Sequence, residues 1–170
     1  IVDRSKISIF KLPFLLRRVK SEVNKEIVKL KPIPDVDKSL IELKKRGYQL
    51  GIITSNSKDN VIAFLENNHL DNIFDFVYAT PTIFGKHKVI NKFLSQNQIA
   101  TDRAIYVGDE TRDIKAAKVS KIQVVAVGWG FNSSKALAQY QPDFLVDRPR
   151  ELVTAIEQWQ ASSQQALENA

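Results

Sequence analysis

Two carboxylates four residues apart, Asp109 and Asp113, are the residues whose spacing points most directly to chemistry. They follow Gly108 at the end of an apolar run, residues 104–107, and precede a helix-like run that begins at Ile114. Mg²⁺ takes oxygen ligands and is often held by one or two carboxylates together with water and substrate phosphate. The pattern therefore indicates a divalent-metal site at the end of a buried strand. A Gly-Asp turn that caps the next helix is the alternative, because Asp is a favoured N-cap residue.

A second polar group, Thr54, Ser55 and Asn56, follows another apolar run. Hydroxyl and backbone N–H groups at a junction between a strand and a helix suit a phosphate or an oxyanion. Further along the chain, Lys86 could neutralise a phosphoryl group and a nearby carboxylate. Each group also has a plainer interpretation, since Ser55 or Ser57 could simply cap a helix and Lys86 could be a solvated lysine.

Apolar runs alternate with helical patterns along most of the chain. Strand patterns lie at residues 48–54, 76–79, 104–107, 123–127 and 144–146, and helical patterns at residues 11–31, 35–46, 58–67, 88–96, 113–119, 134–140 and 149–159. This alternation predicts an α/β fold, a Rossmann-like parallel sheet with helices on both faces. Right-handed crossovers would place the ends of the strands on one edge, so Thr54, Lys86 and Asp109 should gather there.

Composition excludes several classes of function. The 170 residues are 44% apolar, which suffices for one core, and no apolar run reaches the roughly 18 residues of a spanning helix. The absence of cysteine excludes disulfides and thiolate metal sites, which fits a reducing cytoplasm. We therefore expect a cytoplasmic protein that does not bind membranes.

The positive charge is concentrated at the start of the chain. Residues 1–50 carry 13 Lys and Arg against 6 Asp and Glu, and these residues alternate with apolar helical positions. A solvated helix face explains this pattern, and attraction of an anionic substrate is a second possibility. Nucleic-acid binding is a third, and it would show a steep salt dependence.

The order of these signals, a strand ending in Thr54, then Lys86, then a strand ending in Gly-Asp-x-x-x-Asp, resembles the haloacid dehalogenase-like (HAD) hydrolase superfamily. Residues 52–56 (IITSN), 84–86 (FGK) and 127–131 (VGWGF) are similar to its phosphoglycolate phosphatase-type branch. The resemblance runs over residues 32–159. It implies a HAD-like α/β core at residues 32–160, a partial helical cap at residues 1–31 and a frayed polar tail at residues 161–170.

The resemblance also implies a function. It implies a Mg²⁺-dependent phosphatase that acts on a small phosphorylated metabolite through an aspartyl-phosphate intermediate. Thr54 would hold the transferring phosphoryl group, with Ser55 and Asn56 as neighbouring contacts, and Lys86 would offset charge on phosphate and nucleophile. Asp109 would be the magnesium ligand, with Asp113 supporting the metal.

One part of the family pattern is absent. The nucleophile should be the first Asp of an Asp-x-Asp-Gly-Thr motif on a central strand, and no segment of the 170 residues matches it. Asp35 and Asp37 have the right spacing but follow Pro-Ile-Pro, which favours a helix cap. We therefore expect a gap beside the strand that ends at Thr54, and a further N-terminal segment that fills it. A non-catalytic module that kept the phosphate and metal site is the alternative.

Overall fold

Short parallel strands and helices alternate along the described part of the chain. The computed structural model describes residues 27, 29–79 and 85–168. The strands are β1 (Gly51–Thr54), β2 (Phe76–Ala79), β3 (Ile105–Gly108), β4 (Gln123–Val127) and β5 (Phe144–Val146). The helices are α1 (Val36–Lys45), α2 (Lys58–Asn67), α3 (Lys86–Gln96), α4 (Thr111–Val119), α5 (Ser134–Ala138) and α6 (Glu151–Glu168), with a 3-10 turn at Thr101–Arg103. Most of the predicted helix at residues 11–31, and with it most of the expected cap, lies outside the described residues. Residue 27 is helical but residues 29–31 are not, so the predicted end of that helix at residue 31 is wrong.

The predicted α/β architecture is confirmed, but the described strands form two sheets and not one. β1 pairs in parallel with β2, and β4 pairs in parallel with β3 on one side and with β5 on the other. No described strand joins the free edge of β1 to the free edge of β3. A mainly apolar cavity of about 860 Å³ lies between these edges, lined by Gly51, Ile53 and residues 105–107 among others. The described strands thus leave the gap that the sequence predicts beside Thr54.

The strand β4 shows why its sheet is covered on both faces. Val124 and Ala126 are fully buried in one cluster with Ile114 of α4, whereas Val125 and Val127 are buried in a second cluster with Trp159 of α6. Side chains alternate between the two faces of a strand, so a run of apolar residues supplies both layers. The valine-rich sequence of β4 is therefore the expected composition of a central parallel strand.

Asp35 and Gly47 lie at the two ends of α1. Gly47 has a φ of 88°, a left-handed conformation that glycine adopts without strain, and it ends the helix as predicted. Asp35 occupies the N-cap position but makes no capping hydrogen bond from its side chain. Its carboxylate instead contacts Lys38 and Arg150. Its place at the start of α1, after Pro-Ile-Pro and not at the end of a strand, agrees with the rejection of Asp35 and Asp37 as a nucleophile motif.

Several predicted boundaries differ from the structure: among them, β1 begins at Gly51 and not at residue 48, and α4 begins at Thr111 and not at residue 113. The helix α3 begins at Lys86 and not at residue 88, because Gly85 (φ 99°) makes the turn directly before it. The helix α6 continues to Glu168, so the described part of the expected frayed tail is helical. The Ala, Gln, Leu and Glu residues in that segment are good helix formers, and Ser162 adds a hydrogen bond to the carbonyl of Gln158. The helix α5 ends at Ala138, two residues early.

None of the described helices combines the length and apolar character needed to cross a membrane.

Candidate active site

The turn from β3 into α4 carries three carboxylates. Glu110 is the N-cap residue of α4, and it forms a capping box with Asp113, the third helical residue. The Glu110 side chain accepts from the Asp113 backbone, and Asp113 Oδ2 accepts from the Glu110 backbone N–H at 3.2 Å. The alternative of a helix-capping turn is therefore partly right, although the capping residues are Glu110 and Asp113 and not Asp109.

Lys86 forms a buried ion pair with Asp113. The Lys86 ammonium contacts Asp113 Oδ1, and the two side chains are only 12% and 2% exposed. Lys86 reaches this position because α3 begins at that residue and packs against α4. The alternative of a solvated lysine is thus wrong.

Among the described residues, the charges of the turn are unevenly balanced. Carboxylate oxygens of Asp109, Glu110 and Asp113 lie within 4.8 Å of one another. Glu110 is paired with the guanidinium of Arg112 (Oε1 to Nη2, 2.6 Å), and Asp113 is paired with Lys86. Within the described ranges Asp109 has no cationic partner, so its charge is the one left to attract a metal ion. Carboxylate oxygens are ligands that suit Mg²⁺, and the residues present therefore fit such an ion.

The loop after β4 contacts Asp109 through two backbone N–H groups. The Phe131 backbone N–H donates to Asp109 Oδ2 at 2.7 Å, and the Asn132 N–H donates to the Asp109 carbonyl at 3.1 Å. The Asn132 side-chain oxygen accepts from the Thr111 N–H at 3.1 Å. The VGWGF run at residues 127–131 resembles the family, but the sequence predicts no role for Phe131 or Asn132. Nothing in the local sequence shows which turn these residues contact.

The turn after β1 is organised by its own side chains. The Thr54 hydroxyl accepts from the Asn56 N–H at 3.0 Å. Asn56 Oδ1 accepts from the Ser57 N–H and from the Asn60 side chain, at 2.8 and 2.9 Å. Ser57, and not Ser55, caps α2. The Thr54 hydroxyl keeps its own proton for donation.

The structure brings only part of the predicted site into direct contact. Lys86 contacts Asp113, which is a neighbour of Asp109, whereas within the described ranges Thr54, Ser55 and Asn56 make no hydrogen bond to any of these three. Thr54 and Asn56 share a cavity of about 440 Å³ with Trp129. Trp129 belongs to the same loop as Phe131, which contacts Asp109, so that loop also borders the cavity beside the turn after β1.

Comparisons with known proteins identify the family of the chain. The sequence profile of the haloacid dehalogenase-like hydrolase family matches residues 1–127. A phosphoglycolate phosphatase from Synechococcus elongatus is 35% identical over 158 residues, 93% of this chain and 74% of the relative. A pyrophosphatase, PpaX, from Bacillus velezensis is 31% identical over 123 residues, 69% of this chain and 56% of the relative.

A solved structure shares the fold. A haloacid dehalogenase-like hydrolase from Streptococcus pneumoniae superposes with a TM-score of 0.78 at 27% identity, over 89% of this chain and 72% of that one. The chain spans about three quarters of the Synechococcus relative and little more than half of the Bacillus relative. The resemblance first indicated by the motifs is confirmed: the chain belongs to the haloacid dehalogenase-like hydrolase family, within its phosphoglycolate phosphatase-type branch.

Proposed function

We propose that this chain carries the phosphate-binding and metal-binding part of a Mg²⁺-dependent phosphomonoester hydrolase. The observation that carries the proposal is the charge pattern at the end of β3, where two carboxylates are neutralised and Asp109 is not. Relatives that are named phosphoglycolate phosphatase and pyrophosphatase support a small phosphorylated metabolite as the substrate.

Each residue has a distinct task in the proposed reaction. A carboxylate nucleophile attacks phosphorus, the bond to the leaving alcohol breaks, and water then hydrolyses the aspartyl-phosphate. The Thr54 hydroxyl donates to a phosphoryl oxygen, with Ser55 and Asn56 beside it. Lys86 offsets charge on the transferring group, and Asp113 holds Lys86 in place. Bound Mg²⁺ at Asp109 would neutralise charge on the phosphate oxygens.

We further propose that the nucleophile comes from a strand outside the 170 residues that occupies the gap between β1 and β3. The support is structural: both edges are unpaired among the described strands, and unpaired backbone groups in an apolar cavity are costly. A parallel strand in this gap would end between Thr54 and Asp109. Its terminal carboxylate would then lie beside both proposed binding turns.

The test uses the chain extended by its upstream segment, assayed with an aryl phosphate and Mg²⁺. We expect Asp109→Asn to lower kcat by about 100-fold or more, because it removes charge where the metal is held. Asp71→Asn is the matched control, since Asp71 is an exposed carboxylate in a turn, and it should keep wild-type turnover. If Asp109→Asn retains turnover, the metal assignment is wrong.

A non-catalytic phosphate- and metal-binding module of the same fold is the second candidate. It is favoured by the observation that three carboxylates lie together at the end of β3, whereas no described strand occupies the gap between β1 and β3. An upstream reading frame that encodes Asp-x-Asp-Gly-Thr would favour the enzyme. An extended chain that binds phosphate with Mg²⁺ but never turns over an aryl phosphate would favour the module.

A further inference from the structure

We propose that the loop after β4, residues 128–133, is a backbone clamp that orients the Asp109 carboxylate for a divalent cation, with Gly130 and Asn132 as positioning residues. This inference rests on the proposed metal role of Asp109. The Phe131 N–H engages Oδ2 at 2.7 Å, whereas within the described residues Oδ1 accepts no hydrogen bond. One oxygen is thus fixed by the protein, and the other is left for the ion.

Gly130 is required by contact and not by backbone conformation. Its φ is not among the positive values, which the described glycines adopt only at Gly47 and Gly85. A Cβ atom at position 130 would lie 2.2 Å from both Cβ and Oδ2 of Asp109. Any side chain at this position would therefore displace the carboxylate or break its bond to Phe131.

Asn132 ties the loop to both ends of the acidic turn. Its backbone N–H donates to the Asp109 carbonyl, and its side-chain oxygen accepts from the N–H of Thr111, the first residue of α4. These two bonds hold the backbone on either side of Glu110, at the Asp109 carbonyl and at the Thr111 N–H. They fix the backbone on which the Asp109 side chain stands, which the Phe131 bond alone does not do.

The side chain of Phe131 does not anchor the loop. It is 81% exposed, so the loop is held against Asp109 by backbone hydrogen bonds and by the close approach of Gly130. Groups that orient a metal ligand typically change metal affinity by 10- to 100-fold when they are removed. Disruption of the clamp should therefore lower the affinity of the protein for a divalent cation.

The experiment compares Gly130→Ala with Ala138→Ser in the chain extended by its upstream segment. Each variant adds one heavy atom, but Ala138 is exposed at the end of α5, outside the 128–133 loop. The readouts are Mn²⁺ binding by electron paramagnetic resonance and hydrogen exchange of the Phe131 amide. We expect Gly130→Ala to weaken Mn²⁺ binding by about 10-fold or more and to lose Phe131 protection. Ala138→Ser should keep both.

The possible failures are distinguishable. Wild-type Mn²⁺ affinity and Phe131 protection in Gly130→Ala would overturn the clamp and leave the metal site standing. No Mn²⁺ binding by the extended wild-type chain would refute the metal site, and with it the purpose assigned to the clamp. If Gly130→Ala does not fold, Asn132→Ala decides by the same readouts, because it removes a hydrogen bond without adding an atom beside Asp109.

Discussion

Removal of the Lys86 charge should lower the stability of the fold, because it leaves the carboxylate of Asp113 buried without its cation. Lys86→Met keeps much of the side-chain volume but leaves Asp113, which is 2% exposed, without its cation. In the described structure Asp113 would then retain one hydrogen bond to its carboxylate, from the Glu110 N–H at 3.2 Å. Loss of one partner of a buried ion pair costs about 3–5 kcal/mol. Lys86 is itself 12% exposed, so water reaches its end of the pair, and we expect a loss of about 3 kcal/mol.

The reverse change should cost less. Asp113→Asn keeps the shape and the capping acceptor, and the flexible Lys86 side chain can turn its ammonium towards water. We expect a loss of about 1–2 kcal/mol. The double variant Lys86→Met/Asp113→Asn should then be more stable than Lys86→Met alone, because no uncompensated charge is left. The coupling energy should be about 2 kcal/mol.

Urea unfolding at pH 7, followed by tryptophan fluorescence, measures these differences. Lys92→Met is the matched control, because Lys92 lies on the same helix, is exposed, and has no ion-pair partner in the described residues. It should change the free energy of unfolding by less than about 0.5 kcal/mol. If Lys86→Met costs no more than this control, or if the two changes are additive, Lys86 and Asp113 are not a buried pair in solution and the charge argument at this turn fails.

Two further predictions concern stability away from the site. Ile114 is fully buried under β4, so Ile114→Ala should lower the free energy of unfolding by about 3 kcal/mol. Val119 lies on the same helix but is 61% exposed, so Val119→Ala should change the free energy of unfolding by less than about 0.5 kcal/mol. Urea unfolding compares the two variants. The Lys44 ammonium, followed by the Leu50 N–H, holds the pKa of Asp75 below its usual value. The ionised carboxylate therefore stabilises the fold above the unfolded-state pKa of about 4, and this contribution is lost as the pH falls through the lower folded-state pKa. Asp75→Asn should cost at most about 1 kcal/mol at pH 7, because Asp75 is 37% exposed, and the difference from wild type should shrink at pH 3; an equal difference at both pH values would contradict this account.

Local patterns predicted the elements well where periodicity was strong. The bounds of α2, β2, β4 and β5 agree with the sequence-based ranges, since each begins and ends at a clear change of pattern. The predicted start of α3 is two residues late, because the helix begins directly after Gly85. The left-handed φ of Gly85 shows that the turn is complete at that residue.

The contacts at the site were harder to predict than its residues. Lys86 and Asp113 were both named from the sequence, but their pairing depends on the packing of α3 against α4, which no local pattern encodes. The hold of Phe131 and Asn132 on Asp109 likewise joins segments on different strands of the sheet. Residue types and order thus named the candidate side chains, and their roles stay a prediction. Tertiary packing determines which carboxylate is paired with a cationic side chain, and with which one.

The same charge balance limits how phosphate can be recognised within the proposed function. Asp109, Glu110 and Asp113 face only Lys86 and Arg112 among the described residues, so the cluster carries one net negative charge. Lys86 is already engaged by Asp113 and cannot offer a full positive charge to a phosphoryl group. A divalent cation at Asp109 would change the sign of the cluster from −1 to +1 and turn repulsion of a phosphate into attraction. Within the proposed function, attraction of a phosphate to this turn would therefore require a cation at Asp109, and Lys86 would add only part of the offsetting positive charge.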